Sequence, residues 1–321
     1  MKKLLVDIVQ LADEHRAAIR DAARRHGYEA RFTDGDAARA RAEAADAEII
    51  FGPNPDLPGV ASNLRWLCVP SAGVEAYLPR ERYANPSAVL TNASGAYGVT
   101  IAEHIVMVTL EMMRRQPEYA RVVARRGWRR DLPIRSIRGS RVTLLGTGDI
   151  GREAALRLRA FGPESIVGVN RSGRAREGLF DRVLKVSGLD EILPRTDLLV
   201  MSLPDTRESA GLMDARRLAL LPEDAFLVNV GRGSTIDQKA LVALMRGGRL
   251  SGAALDVFAE EPLPPEDDVW DCPRLLVTPH VAGNMTLRYT LDRIVDMFLE
   301  DFENYCEGRP LLQEVDRERG Y

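Results

Sequence analysis

Short apolar runs alternate with longer amphipathic segments along almost the whole chain, and no internal repeat or low-complexity block interrupts them. This is the rhythm of parallel sheets, in which a buried strand is followed by a helix that returns over one sheet face. The runs at 4–9, 31–33, 49–51, 67–69 and 89–91 predict strands, with Ala- and Arg-rich helices after the first two. The stretch Gly52-Pro53-Asn54-Pro55 through Pro58-Gly59 predicts an irregular loop. Ile101, Ile105, Val108 and Met112 recur at three- and four-residue steps and predict a helix over 100–116. From Arg141 a second alternation predicts strands at 142–145, 166–169, 183–186, 198–201, 226–230, 253–257 and 275–278. A last amphipathic segment, 286–306, is too long to be a tail and is expected to pack back on the first unit. The expected organisation is α/β with two parallel-sheet domains: 1–98, 99–285 inserted into it, and 286–321 returning, with a cleft at the hinge.

Length and composition agree with that division. At about 150 residues per domain, 321 residues make two, long enough to bury a core without a metal or disulfide. The chain is 45% hydrophobic and 28% charged with net charge −3, which excludes disorder, collagen-like repeats and a polyanion-seeking basic protein. Cys68, Cys272 and Cys306 are odd in number and far apart, so neither a disulfide framework nor a Cys-rich zinc site is expected, and a reducing, cytoplasmic location fits best. Lys2 and Lys3 start like a signal peptide, but Asp7 ends the apolar run far short of one, and no run approaches membrane-span length.

The chemistry begins at the strand predicted over 142–145, which leads into Gly146-Thr147-Gly148-Asp149-Ile150-Gly151 and then an Ala/Leu/Arg helix. Strand, G-x-G-x-x-G, helix is the setting of a dinucleotide fingerprint: a tight turn at the first glycine, close backbone approach to a pyrophosphate at the second, and tight helix packing at the third. About 20 residues on, an acidic residue would hold the ribose 2′-hydroxyl of NAD. Here Asn170, Arg171, Ser172 and Arg174 follow the strand, a neutral and basic set that suits a 2′-phosphate, so NADP is the expected cofactor, with NAD as the alternative. Arg232, Glu261 and His280 follow three later strands, at the edge where open parallel sheets bind ligands, and make an acid–base set. Singly, each reads as a surface ion pair or a loop histidine; downstream of a fingerprint they read together. Arg125, Arg126, Arg129 and Arg130 around Trp128 read as a solvated interdomain or dimer arm rather than a nucleic-acid site. His104 reads as a structural hydrogen-bonder, His15 and His26 lack metal-ligand company, and Tyr97 either packs or lines a cleft.

These motifs resemble the D-isomer-specific 2-hydroxyacid dehydrogenases over nearly the whole chain. The resemblance rests on Ser71-Ala72-Gly73-Val74, Ile101-Ala102-Glu103-His104, the glycine fingerprint, Leu203-Pro204-Asp205-Thr206, Asn229-Val230-Gly231-Arg232-Gly233, Asp256-Val257-Phe258 through Glu261-Pro262, and Thr278-Pro279-His280. It implies a Rossmann-type coenzyme domain inserted into a flavodoxin-like substrate domain. By it, Arg232 would hold the substrate carboxylate and carbonyl oxygen, His280 would be the general acid in reduction, and Glu261 would hydrogen-bond its imidazole. The amides of Ala72, Gly73 and Val74 would receive the substrate carboxylate; Leu203, Pro204 and Asp256 would face the coenzyme, Asp256 at the nicotinamide carboxamide. The implied reaction is NADPH-dependent reduction of a small 2-oxo acid, such as glyoxylate or hydroxypyruvate, by a homodimer without nucleic-acid, membrane or metal partners. NAD-linked oxidation of D-2-hydroxy acids and a non-catalytic, dinucleotide-sensing corepressor are the alternatives.

Overall fold

The computed structural model describes residues 1–174 and 178–320. In chain order the first unit carries β1 (Lys2–Val6), α1 (Asp13–Arg25), β2 (Tyr28–Phe32), α2 (Ala37–Ala44), β3 (Ile49–Phe51), β4 (Trp66–Cys68) and β5 (Val89–Thr91). The second carries α3 (Gly98–Met113), α4 (Gln116–Ala124), β6 (Arg141–Leu145), α5 (Asp149–Arg159), β7 (Ser165–Asn170), β8 (Arg182–Lys185), α6 (Leu189–Ile192), β9 (Leu198–Met201), α7 (Ala215–Leu218), β10 (Phe226–Asn229), α8 (Gln238–Arg246), β11 (Gly252–Leu255) and β12 (Leu275–Val277). The chain then returns to the first unit with α9 (Arg288–Cys306). Contacts divide the molecule into residues 1–97 with the chain from Asn284 onward, and Gly98–Gly283.

The first unit is a five-stranded sheet, all parallel, in the order β2-β1-β3-β4-β5, the flavodoxin-like arrangement. Alternation along the strands sends Leu5, Ile50, Leu67 and Leu90 into a core with Ala40, Ala44, Leu57 and Leu64. The register places Ile49, Phe51 and Trp66 on the other face, where α9 covers Phe51 and Trp66. Phe298 of α9 stacks on Phe51 with ring centroids 4.1 Å apart and on Trp66 at 5.5 Å, while Phe302 meets Tyr28 edge-on. His15 and His26 belong to this docking: their Nε2 atoms lie 2.7 Å from Asp292 and 2.5 Å from Glu303, both on α9.

Local chemistry moves several boundaries. The first strand stops at Val6 rather than at residue 9, because Asp7 turns to accept the Thr33 hydroxyl at 2.5 Å, and Val9 is 59% exposed beyond it. The predicted 100–116 helix ends at Met113: Arg115 adopts a left-handed φ of +59° and Pro117 starts a new helix, α4. The Pro-rich loop contains one 3₁₀ turn, Leu57–Gly59. The basic arm is solvated, with Trp128 91% exposed and no residue of α4 buried.

The second unit is a seven-stranded parallel sheet in the order β12-β11-β10-β9-β6-β7-β8. The chain runs outward from β6 to β8, then crosses back to lay β9 on the other side of β6. The β6/β9 boundary is therefore a topological switch point, where a crevice opens at the carboxyl ends of the strands. Strands 198–201, 226–229 and 252–255 are buried at every position, as expected for a sheet covered on both faces. Among the described residues, no helix is long and apolar enough to cross a membrane.

Because Phe298 closes the first sheet's aromatic face, Phe298→Ala should destabilise that unit by about 3–5 kcal/mol through lost burial and the cavity left behind. Chemical denaturation checks this; a loss below about 1 kcal/mol would place the support of α9 elsewhere.

Candidate active site

The glycine loop follows directly from β6. Gly146 has a left-handed φ of +108°, and a Cβ there would lie 2.8 Å from the Ser202 hydroxyl, so glycine is required. A Cβ on Gly151 would collide with the Gly146 carbonyl, which explains how α5 lies so close to its strand. Gly148 differs: a Cβ there meets nothing within 4 Å. The loop is thus packed at its two ends and open in the middle, beside the first turn of α5, whose N-cap is Gly148 and which no side chain caps. An opening of that kind fits a pyrophosphate. The Asp149 side chain is directed at Gly98, where a Cβ would clash with its carboxylate, while its backbone N–H lies in the first turn of α5.

At the end of β7, Asn170 works as a brace. Its Nδ2 donates to Thr147 Oγ1 at 2.7 Å and to the Arg174 carbonyl at 3.1 Å, while its Oδ1 accepts from Gly173 N at 2.6 Å and from the Ser172 hydroxyl at 3.2 Å. The side chain ties the glycine loop to the turn that carries Arg171, Ser172 and Arg174, all three exposed. Sequence reasoning missed Lys185. It pairs with Asn170 across β7 and β8, and its stem lies against Gly173, so a third cation stands at this turn. Only strand register could have found it, since no motif includes it.

Leu203 and Pro204 follow β9. A Cβ on Gly231 would fall 2.6 Å from the Leu203 carbonyl, so the two loops touch backbone to backbone. Ser209 fixes the Pro204 carbonyl at 2.6 Å. After β10, the buried Asn229 accepts from Gly231 N at 3.1 Å and donates to the Arg232 carbonyl at 3.1 Å. The half-buried Arg232 guanidinium donates to the Gly231 carbonyl at 2.8 Å. A Cβ on Gly233 would overlap the Phe258 backbone, which locks the Arg232 turn onto the loop carrying Glu261.

Glu261 is the joint between that loop and His280. Its Oε1 accepts from Phe258 N at 2.9 Å, and its Oε2 lies 2.6 Å from His280 Nδ1. An ionised carboxylate only accepts, so Nδ1 carries the proton and Nε2 is left for another partner. His280 sits at φ +52°, a left-handed conformation uncommon outside glycine. Its N–H donates to the carbonyls of Asp256 and Thr278. The Asp256 carboxylate, expected at a nicotinamide carboxamide, is 3% exposed and accepts from the Thr278 hydroxyl at 2.6 Å, Val281 N at 2.9 Å and Ala282 N at 3.0 Å. It clamps the His280 turn, and that is the role the structure shows. Among the described residues, no group of three His, Cys, Asp or Glu is placed to hold a metal.

In the first unit, Ala72, Gly73 and Val74 lie in the loop after β4. The Ser71 hydroxyl donates to the Gly73 carbonyl at 2.7 Å, and Asn92 Nδ2 to that of Ala72 at 2.9 Å. With their carbonyls so held, the loop's peptides have a fixed direction. Tyr97 is buried and donates to the Pro70 carbonyl at 2.5 Å, so it packs behind the loop.

A switch-point glycine loop, a basic turn after the next strand and an Arg, Glu, His set at later strand ends define the class: a nicotinamide-dependent dehydrogenase of the doubly wound type. Comparison with known proteins gives the family. Residues 106–282 match the domain described as D-isomer specific 2-hydroxyacid dehydrogenase, NAD binding domain. Glyoxylate/hydroxypyruvate reductase A of Klebsiella pneumoniae (strain 342) is 32% identical over 229 residues, 70% of each protein. A D-isomer specific 2-hydroxyacid dehydrogenase family protein from Aeromonas salmonicida superposes with a TM-score of 0.85 at 31% identity, covering 98% of this chain and 99% of that one. An NADPH-dependent glyoxylate/hydroxypyruvate reductase from Sinorhizobium meliloti, in complex with NADP and sulfate, superposes with a TM-score of 0.83 at 28% identity over the whole of both chains. The chain belongs to the D-isomer specific 2-hydroxyacid dehydrogenase family and is an NAD(P)-dependent enzyme of it.

Glu261 accepts at both oxygens, whereas an amide accepts at one. Glu261→Gln should therefore free either Phe258 N–H or His280 Nδ1–H. Losing one charge-assisted bond of about 1.5–3 kcal/mol should lower kcat for reduction about tenfold to hundredfold. Steady-state kinetics check this; a change within about twofold would remove Glu261 from the site.

Proposed function

We propose that this chain reduces glyoxylate, hydroxypyruvate or a similarly small 2-oxo acid to the D-2-hydroxy acid, using NADPH. The observation that carries the reading is the Glu261–His280 pair, 2.6 Å apart, on a loop locked to the Arg232 turn. When bound, the reduced nicotinamide supplies the hydride. Negative charge then builds on the carbonyl oxygen of the acid, and the chain must stabilise it and deliver a proton. Arg232 meets the first need, its planar fork taking the carboxylate and the carbonyl oxygen. His280 meets the second: with Nδ1 held by Glu261, Nε2 presents the proton, and in the reverse direction the neutral ring takes it back. The amides of Ala72, Gly73 and Val74 are the further carboxylate donors in this reading. The names of the Klebsiella and Sinorhizobium relatives support the substrate class.

NADPH is proposed on charge. No carboxylate stands at Asn170 to accept from a ribose 2′-hydroxyl or to repel a 2′-phosphate, and Arg171, Arg174 and Lys185 surround the turn that Asn170 braces. The complex of the Sinorhizobium relative with NADP supports the choice. The test is a spectrophotometric screen of NADPH and NADH oxidation against a panel of 2-oxo acids; no turnover with any of them overturns the reading.

Two variants sharpen it. Arg232→Lys keeps the charge but loses the bidentate fork, and should lower kcat/KM by about tenfold to hundredfold; an unchanged value removes Arg232 from the substrate. Arg171→Ala and Lys185→Ala should each lower kcat/KM with NADPH by about tenfold and leave NADH nearly unchanged, the loss of one charge-assisted phosphate bond. A parent enzyme that prefers NADH would overturn the coenzyme assignment.

A further inference from the structure

The Glu261 contact holds the ring of His280, while the backbone beneath that ring is held from inside the unit. That side begins on α3. His104 Nε2 lies 3.3 Å from the Thr278 hydroxyl, which lies 2.6 Å from Asp256 Oδ1. A hydroxyl has one hydrogen, and the short contact to an acceptor-only carboxylate takes it. Toward His104 the hydroxyl oxygen can therefore only accept, so His104 Nε2 carries a proton and donates it. The result is a directional chain: His104 Nε2–H to Thr278 Oγ1, then Thr278 O–H to Asp256 Oδ1. Such chains strengthen each member by polarisation. Its far end is the carboxylate that accepts the N–H groups of Val281 and Ala282, the two residues after His280.

We propose that His104, acting through Thr278 and Asp256, is a positioning residue that sets the backbone of His280 and hence the direction of its Nε2. The proposal rests on the reading of His280 as the general acid. The turn needs such support, because His280 is held in a left-handed conformation that an L-residue adopts at a cost. The donor is a neutral ring: burial pushes the His104 pKa below its ordinary value, against the opposing charges of Asp256 and Glu111. His104 touches neither substrate nor coenzyme in this scheme. Its removal should therefore act on the proton-transfer step and leave coenzyme binding as it was.

The experiment uses the full chain with NADPH and glyoxylate. His104→Phe keeps a ring and removes the donor, and Thr278→Val removes the relay; each should lower kcat about tenfold with KM for NADPH within about twofold. His104→Gln places an amide N–H near the position of Nε2 and should restore kcat to within about threefold of the parent. The double variant should be no worse than either single one, since both break the same chain. In the parent, nitrogen-15 NMR of the histidine rings should show His104 with its proton on Nε2, a readout that needs no variant to fold. Parental kcat in His104→Phe, a Gln variant as slow as Phe, or a proton on Nδ1 overturns the proposal. His280→Ala separates it from the reading beneath: if that variant stays active, the assignment of His280 fails; if it is inactive while His104→Phe is parental, only the positioning role fails.

Discussion

Every strand of the second sheet points the same way, so all seven carboxyl ends share one edge. Each loop that carries a candidate site residue in that unit begins there: the glycine loop after β6, the basic turn after β7, Leu203 and Pro204 after β9, Arg232 after β10, Asp256 after β11 and His280 after β12. The register of the sheet does the first part of the positioning. Bonds between successive loops do the rest, including Gly146 N to the Val169 carbonyl, Val230 N to that of Met201, Asp256 N to that of Asn229 and Thr278 N to that of Leu255.

On that edge, contact is made backbone to backbone wherever a side chain would spoil the fit. Gly231 lies on Leu203 and Gly233 on Phe258, and in both places a Cβ would have no room. Gly148 is the exception, open where the other fingerprint glycines are packed. The same fingerprint thus has two physical uses: Gly146 and Gly151 hold the loop to its strand and helix, and Gly148 leaves room for a ligand.

The carboxylates near these strand ends differ in what they hold. Asp256 is committed to the His280 turn, and the Asp149 side chain is directed at the start of α3. Glu261, more open to solvent, is the carboxylate that meets His280. Depth decides this. A carboxylate in the interior must collect several donors to remain charged, and backbone N–H groups of an adjacent turn are the nearest supply.

The sequence by itself determined the strand-and-helix order, the fingerprint and the strand ends on which Arg232, Glu261 and His280 stand, because these follow from local alternation, glycine spacing and motif order. It also pointed to the return of the last helix through that helix's length, although Phe298 stacked on Phe51 is a contact between residues 247 positions apart, visible only once folded. Tertiary structure alone decided which atoms meet. Lys185 stands beside Asn170 because β7 and β8 pair in one register; His104 reaches Thr278 because α3 lies against the sheet; and Asp256 holds the His280 turn because that turn's N–H groups lie within 3.0 Å. A side-chain hydrogen bond depends on sub-ångström placement across distant segments, and periodicity along the chain carries no information at that scale.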